Sequence, residues 1–132
     1  MALDEDHCIV RIRLRRRTKN HLGSMYFGAL AIGADCAGGL IAASLIRQQK
    51  AKVSLVFKSL QANFLKRPES DVFFVCDEGP EVRALLERTL ASLDRQTLPV
   101  RIRAEVHTQA GPEIVAEFIL ELSLKQSAKG AL

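Results

Sequence analysis

The stretch from Met25 to Ile46 constrains this chain more than any other feature. Its 22 residues are almost entirely apolar or small, its only charge is Asp35, and it closes on Arg47, Gln48, Gln49 and Lys50. That length could span a bilayer. Against a membrane span stand Gly28, Gly33, Gly38 and Gly39, the acid in the middle, and the lack of a second such stretch in the sequence. A helix apolar all round is also what a soluble protein uses when a sheet wraps its helix. The stretch is therefore predicted as a central buried helix, with no membrane span.

The flanking segments read as the sheet. Val10, Ile12 and Leu14 alternate with Arg11, Arg13 and Arg15, the period of a strand with one buried face, here Cys8 to Arg17. Asn20, Gly23 and Ser24 then supply loop and cap residues before the helix. Ala51 to Pro68 is a long strand whose alternation breaks near Lys58 to Leu60, as a bulge would break it. Val72 to Cys76 is continuously apolar, which suggests a strand covered on both faces. Gly79 and Pro80 open a second helix to about Asp94, with Val82, Leu85, Leu86, Leu90 and Leu93 at helical spacing. Leu98 to Thr108 and Ile114 to Leu124 alternate on either side of a Gly-Pro turn and form a hairpin, the second strand pointing Ile114, Ala116, Phe118, Leu120, Leu122 and Leu124 inward. The order is β-α-β-β-α-β-β. At 132 residues, with 48% hydrophobic and 26% charged, one ordered α+β domain over 1–132 is expected, with loose ends at 1–7 and 126–132.

Charge and cysteine content exclude several classes. Six of the 19 basic residues lie between Arg11 and Lys19, and without that tract the +4 chain would be about neutral. Only 5% of residues are aromatic, and none interleaves with the tract as a stacking platform, so no nucleic-acid partner is expected. The tract reads as a solvated strand face and loop, or as a site for a few phosphates on a small molecule. A contact to nucleic acid or an anionic membrane is the third possibility. Cys8, Cys36 and Cys76 are odd in number and widely spaced in sequence, as reduced thiols of a cytoplasmic protein would be; no disulfide framework, metal site or secretory signal is suggested.

Two features could carry chemistry. A carboxylate inside an uncharged helix loses hydration on burial, which favours its protonated form and makes Asp35 a better proton acceptor near neutral pH. Its neighbours at helical offsets include Gly28, Ala31, Ile32, Gly38, Gly39 and Ala42, a nearly bare face that another backbone or a thin ligand could approach. A buried aspartate satisfied by backbone donors, with the glycines serving packing, fits the same composition. The helix start is the second feature, because free N–H groups near Tyr26, Phe27 and Gly28 can stabilise a developing oxyanion.

The run from Asn20 to Leu40, N-H-L-G-S-M-Y-F-G-A-L-A-I-G-A-D-C-A-G-G-L, resembles the core of hotdog-fold acyl-CoA thioesterases of the phenylacetyl-CoA type. In that family N-x-x-G-T-x-H-G-G, small apolar residues and then Asp begin the central helix. Asn20, Gly23, Ser24 for threonine, Gly28 and Asp35 fall on the pattern without a gap, and Phe57 to Pro68 with Asp71 and Val72 resembles the family's second strand and turn. The resemblance implies a hotdog fold, a long helix wrapped by a curved five-stranded antiparallel sheet. It implies thioester hydrolysis, with Asp35 as general base or nucleophile, the backbone N–H at Phe27 beside Gly28 polarising the carbonyl, and Asn20 holding water or substrate. It further implies an acyl-CoA substrate with no separate cofactor, and an obligate homodimer, or a dimer of dimers, whose site lies between protomers. Tyr26, Ser24, Asn63 and Phe64 are then candidates for substrate contact, and Arg15, Arg16, Arg17 and Arg67 for the coenzyme's phosphates. Two departures stand out: Tyr26-Phe27 replaces His-Gly, which keeps a backbone donor and narrows the acyl pocket, and the helix Pro80 to Asp94 resembles a less characterised hotdog subgroup. A module that binds acyl-CoA without hydrolysing it is the alternative.

Overall fold

The computed structural model describes residues 2–4, 6–25 and 27–127. In chain order the elements are β1 (Ala2–Leu3), β2 (Cys8–Ile12), α1 (Phe27–Gln48), β3 (Val53–Phe64), β4 (Val72–Cys76), α2 (Gly79–Leu90), β5 (Gln96–Thr108) and β6 (Gly111–Gln126). The strands form one antiparallel sheet in the order β1-β2-β4-β5-β6-β3. It has six strands, one more than expected, because Ala2–Leu3, placed in a loose end from the sequence, pairs with Cys8 and Ile9.

α1 lies against one face of this sheet, and α2 packs beside it. It is long and apolar enough to cross a bilayer. Instead it buries Ala29, Leu30, Ala34, Ala37, Ile41, Ala42 and Leu45 under Phe74, Ile102, Phe118, Leu120 and Leu122. Small residues on the helix let large sheet residues approach: a Cβ on Gly33 would run into the Phe74 ring, and one on Gly38 would come within 2.9 Å of Leu120 Cδ1. Gly38, one of the glycines read as a bare face near Asp35, is thus occupied by the sheet. The helix ends in a Schellman motif, with Lys50 N–H donating to Arg47 O, Ala51 N–H to Ile46 O, and Lys50 itself at a φ of 51°.

Two bulges set what the strands present. On β3, Phe57 pairs with Leu122 and Leu60 with Leu120, so Lys58 and Ser59 together oppose one residue of β6. On β6, Ala116 pairs with Ala104 and Ile114 with Glu105, leaving Val115 as the extra residue. That bulge turns Val115 inward and Ile114 out to solvent, reversing the expectation for Ile114. It also frees the Val115 carbonyl to accept the N–H groups of Leu65 and Lys66, at 2.8 and 3.1 Å. α2 stops at Leu90, earlier than Asp94, because Ser92 N–H turns back to Thr89 O and Asp94 N–H to Ser92 Oγ. Leu93, expected on the packed face, is consequently exposed.

Cys8 stands opposite Cys76 on neighbouring strands, both fully buried and free. Burial is the main reason both thiols ionise above their usual range, Cys76 at about 11.

Candidate active site

Between α1 and β3 runs an open groove of about 420 Å³, lined by Ala31, Ile32 and Asp35 from the helix, Phe57, Lys58, Ser59 and Leu60 from β3, and Leu120 from β6. It exists because β3 is the last strand of the sheet and the helix overhangs it without closing on it. Asp35 is exposed here and makes no hydrogen bond or ion pair among the described residues. The burial expected for it from the uncharged helix is not found in the single chain, since the side of α1 that carries Asp35 faces the sheet edge, where none of the described residues covers it. Desolvation of this carboxylate would need another surface laid over the groove. Lys58 and Ser59 were not singled out from the sequence, although the broken alternation around them marked their bulge, and bulges often aim side chains at functional sites.

The start of α1 lies at one end of the groove. The first-turn N–H groups at Phe27 and Gly28 have no acceptor within the helix, and the first turn carries no acidic residue. Phe27 is 69% exposed. Its ring stacks on Phe64 at 4.6 Å, Phe64 meets Phe118 edge-on at 6.0 Å, and Phe118 packs on Phe74 at 6.3 Å. A chain of rings thus ties the helix start to the sheet edge and to the core. Tyr26 lies outside the described residues.

The loop before the helix is built by Asn20. Its Oδ1 accepts N–H groups from Leu22 and Ser24, at 2.9 and 3.1 Å, while its backbone pairs with Ser24 and Gly23. The oxygen is thus committed to the turn, which leaves the amide nitrogen of Asn20 for water or substrate. Ser24 is 1% exposed and its Oγ has no hydrogen-bond partner among the described residues, a buried hydroxyl just before the helix start. Asn63 does not join the groove. The bulge at Lys58–Ser59 sets the phase of β3 so that Phe64 points towards the helix and Asn63 away from it, into a second concavity of about 500 Å³ on the other face with Asp77, Glu78, Arg101, Arg103 and Glu117. Arg15, Arg16, Arg17 and Arg67 are exposed at the end of the sheet nearest the helix start.

Phe27 and Asp35 are eight residues apart, about 12 Å along a helix. An oxyanion donor and a base must both lie within about 3 Å of their atoms on one carbonyl and its attacking water. Within a single chain these two groups cannot meet on one thioester.

The family profile of DUF4442, described as a domain of unknown function, matches residues 1–121. The chain belongs to the DUF4442 family. None of the curated proteins matches the sequence. Among solved structures, this chain resembles a protein of unknown function from Chlorobaculum tepidum, with 10% identity, a TM-score of 0.81, and coverage of 96% of this chain and 80% of that one. A thioesterase family protein from Silicibacter pomeroyi matches at 14% identity and TM-score 0.70, covering 96% and 83%. An acyl-CoA hydrolase from Staphylococcus aureus, solved with butyryl coenzyme A and coenzyme A, matches at 15% identity and TM-score 0.66, covering 95% and 68%. The hotdog-like fold of thioesterase-family proteins is therefore the fold of this chain, with a sixth strand added at its edge.

Proposed function

We propose that this DUF4442 protein is a thioesterase that hydrolyses an acyl-CoA to the free acid and coenzyme A. The observation that carries the reading is Asp35, an unpartnered carboxylate in an open groove beside a bulged edge strand, on a fold shared with thioesterase-family proteins. The carboxylate takes a proton from water as the oxygen adds to the thioester carbonyl; if it attacks the carbonyl itself, the thiolate leaves and a mixed anhydride remains, which water then hydrolyses, freeing the acid and Asp35 and supplying the thiolate's proton. The developing oxyanion meets the N–H groups at Phe27 and Gly28, the C–S bond breaks, and the proton returns to the departing thiolate.

Since one chain holds its donor and its base too far apart, the reading requires two copies that meet along β3, each donating its helix start to the other's groove. β3 is a long edge strand, and such edges are ordinarily covered. Phe27, Ile32, Leu60 and Phe64 lie exposed beside it, apolar surface that a second copy would bury. Association of two such dimers is an extension of the same reading.

A panel of short, long and aromatic acyl-CoAs, assayed by thiol release with wild type and Asp35→Asn, tests the assignment. The expected outcome is release by wild type on part of the panel and a loss of at least about 100-fold in kcat in the variant, the scale of general-base catalysis. Absence of activity throughout, or an equally active variant, removes it. A non-hydrolytic acyl-CoA-binding module is the second reading, favoured by the ring of Phe27 lying across the sheet edge at Phe64, where it narrows access. Calorimetric binding of acyl-CoA without thiol release would select it.

A further inference from the structure

The positive charge of the chain converges on one end of the sheet. Three segments are pinned together there: the 13–19 turn after β2, the loop entering α1, and the 65–71 crossover from β3 to β4. Leu14 N–H donates to Asp71 Oδ1 at 2.8 Å and Met25 N–H to Pro68 O at 3.0 Å, while Thr18 Oγ1 closes the turn by bonding Arg13 O and Arg15 N–H, both at 2.8 Å. Arg11 is paired with Asp71 and Lys66 with Glu113. Arg13, Arg15, Arg16, Arg17, Lys19 and Arg67 form no ion pair among the described residues. Five of these cations crowd the 13–19 turn and Arg67 stands on the neighbouring crossover, with Asp71 acting through space on Arg13 alone among them; like charges so placed repel one another and are costly to cluster without an anion.

A stacked aromatic pair lies beside them on the sheet face away from α1. Phe73 of β4 and His107 of β5 stack with centroids 3.9 Å apart and planes 2° from parallel, and the Arg11 guanidinium sits 5.6 Å over the Phe73 ring. With Leu14, Ser70 and Asp71 they line an open concavity of about 450 Å³. The aromatic platform that the sequence reading did not find within the basic tract is thus supplied by two other strands. The larger concavity on this face suits an anion less well, because Asp77, Glu78 and Glu117 line it and its Arg103 is bonded to Asp77 and Glu105.

We infer that this end of the molecule docks the nucleotide half of coenzyme A, the purine stacking on the outer face of the His107 ring, which Phe73 backs, and the phosphates resting on the cations of the 13–19 turn and Arg67. The inference rests on the acyl-CoA reading and adds to it a base-binding surface and a direction. The pantetheine arm leaves the cationic end, passes the start of α1, and carries the thioester towards a groove. A ring pair gives a purine its π face, and the basic turn gives the phosphates charge-assisted donors.

Isothermal calorimetry on the whole chain with adenosine 3′,5′-bisphosphate, coenzyme A and a single-stranded oligonucleotide tests this. The bisphosphate is expected to bind and to compete with coenzyme A. Affinity for both should fall about tenfold in His107→Ala, the scale of one base stacked on an aromatic ring, and recover in His107→Phe. It should fall by at least about tenfold in the double variant Arg16→Ala with Arg17→Ala, the scale of losing charge-assisted hydrogen bonds. Failure of the bisphosphate to bind at millimolar concentration, or unchanged affinity in both variants, overturns the docking. So does an oligonucleotide that binds more tightly than the bisphosphate with a steep salt dependence, which would mark a nucleic-acid surface. Hydrolysis of a pantetheine thioester by wild type, measured separately, keeps the two claims apart: hydrolysis without bisphosphate binding removes the docking alone, and the expected binding pattern without any hydrolysis removes the catalytic reading alone.

Discussion

Replacing Gly33 by alanine should destabilise the protein even though the residue lies inside a helix, where alanine is ordinarily the better residue by about 1 kcal/mol. A Cβ at this position would sit 2.5 Å from Cδ1 and Cζ of Phe74. Ordinary carbon contacts are about 3.5–4.0 Å, so the ring must retreat by about 1 Å. It has nowhere to go, because Phe74 is fully buried and packs on Phe118 at 6.3 Å. Overpacking of this kind costs about 1–3 kcal/mol, and expelling the ring would cost about 3–5 kcal/mol, so the helix gain is outweighed in either case. A net loss of about 1–2 kcal/mol corresponds to a fall in Tm of about 3–10 °C for a domain of this size. Gly39 is the internal control. A Cβ there would lie 3.4 Å from Cε2 and Cζ of Phe57, an ordinary contact with a half-exposed ring, so Gly39→Ala should be neutral or stabilising by up to about 1 kcal/mol. Thermal and urea melts of the two variants should therefore move in opposite directions, and Phe74→Leu should rescue Gly33→Ala with a coupling of about 1 kcal/mol or more. If both variants are equally stabilised, the helix does not sit on the sheet in this register and the reasoning fails.

Two further outcomes are expected. Ser24→Ala removes a buried hydroxyl with no partner among the described residues and should raise stability by about 1 kcal/mol, or a few degrees in Tm; a lower Tm would show that the hydroxyl is held by an internal water. Cys8 and Cys76 should react with a disulfide reagent at pH 8 only at the rate of global unfolding, and early labelling of either, located by mass spectrometry, would contradict their burial. Because burial raises the folded pKa of Cys76 to about 11, the stability it contributes is full below its unfolded pKa near 8.5 and is lost as pH rises from there towards 11.

Much of the fold was legible because the local pattern and the tertiary environment agreed. Val72 to Cys76, continuously apolar, is a strand as expected, but it is not covered on both faces: Phe74 packs under α1, while Phe73 and Val75 line open concavities on the other face. The uncharged stretch after Met25 is the helix laid on the sheet, and the broken alternation at Lys58 to Leu60 is a real bulge. What misled was a residue whose partner belonged to another strand. Ile114 keeps a perfect alternation with Ala116 in sequence, and only the mismatch with Ala104 and Glu105 across the hairpin turns it outward. The resemblance gave Asn20 a role towards water or substrate but not its local task, which is to close with its oxygen the turn around Gly23, at a φ of 80°. The cationic end could be seen in composition, but its platform could not, since Phe73 and His107 are 34 positions apart and meet only through the pairing of β4 with β5.

The exposure of Asp35 was the least legible point. Composition says that an acid among alanines and glycines will be buried, and so it would be if the sheet curled fully round the helix. The sheet ends at β3, with the overhanging face of α1 left open, and the same edge presents Phe27, Leu60 and Phe64 to solvent. An apolar strand edge and an uncovered carboxylate on one surface place opposite demands on a covering partner: the edge needs apolar contact, while the carboxylate needs a polar group opposite it. A helix start flanked by exposed rings meets both demands, because its rings are apolar and its free N–H groups are donors. This chain carries one such element, at Phe27, about 12 Å along the helix from its own acid. In the proposed dimer, the helix start of a second copy is the surface that would complete the groove.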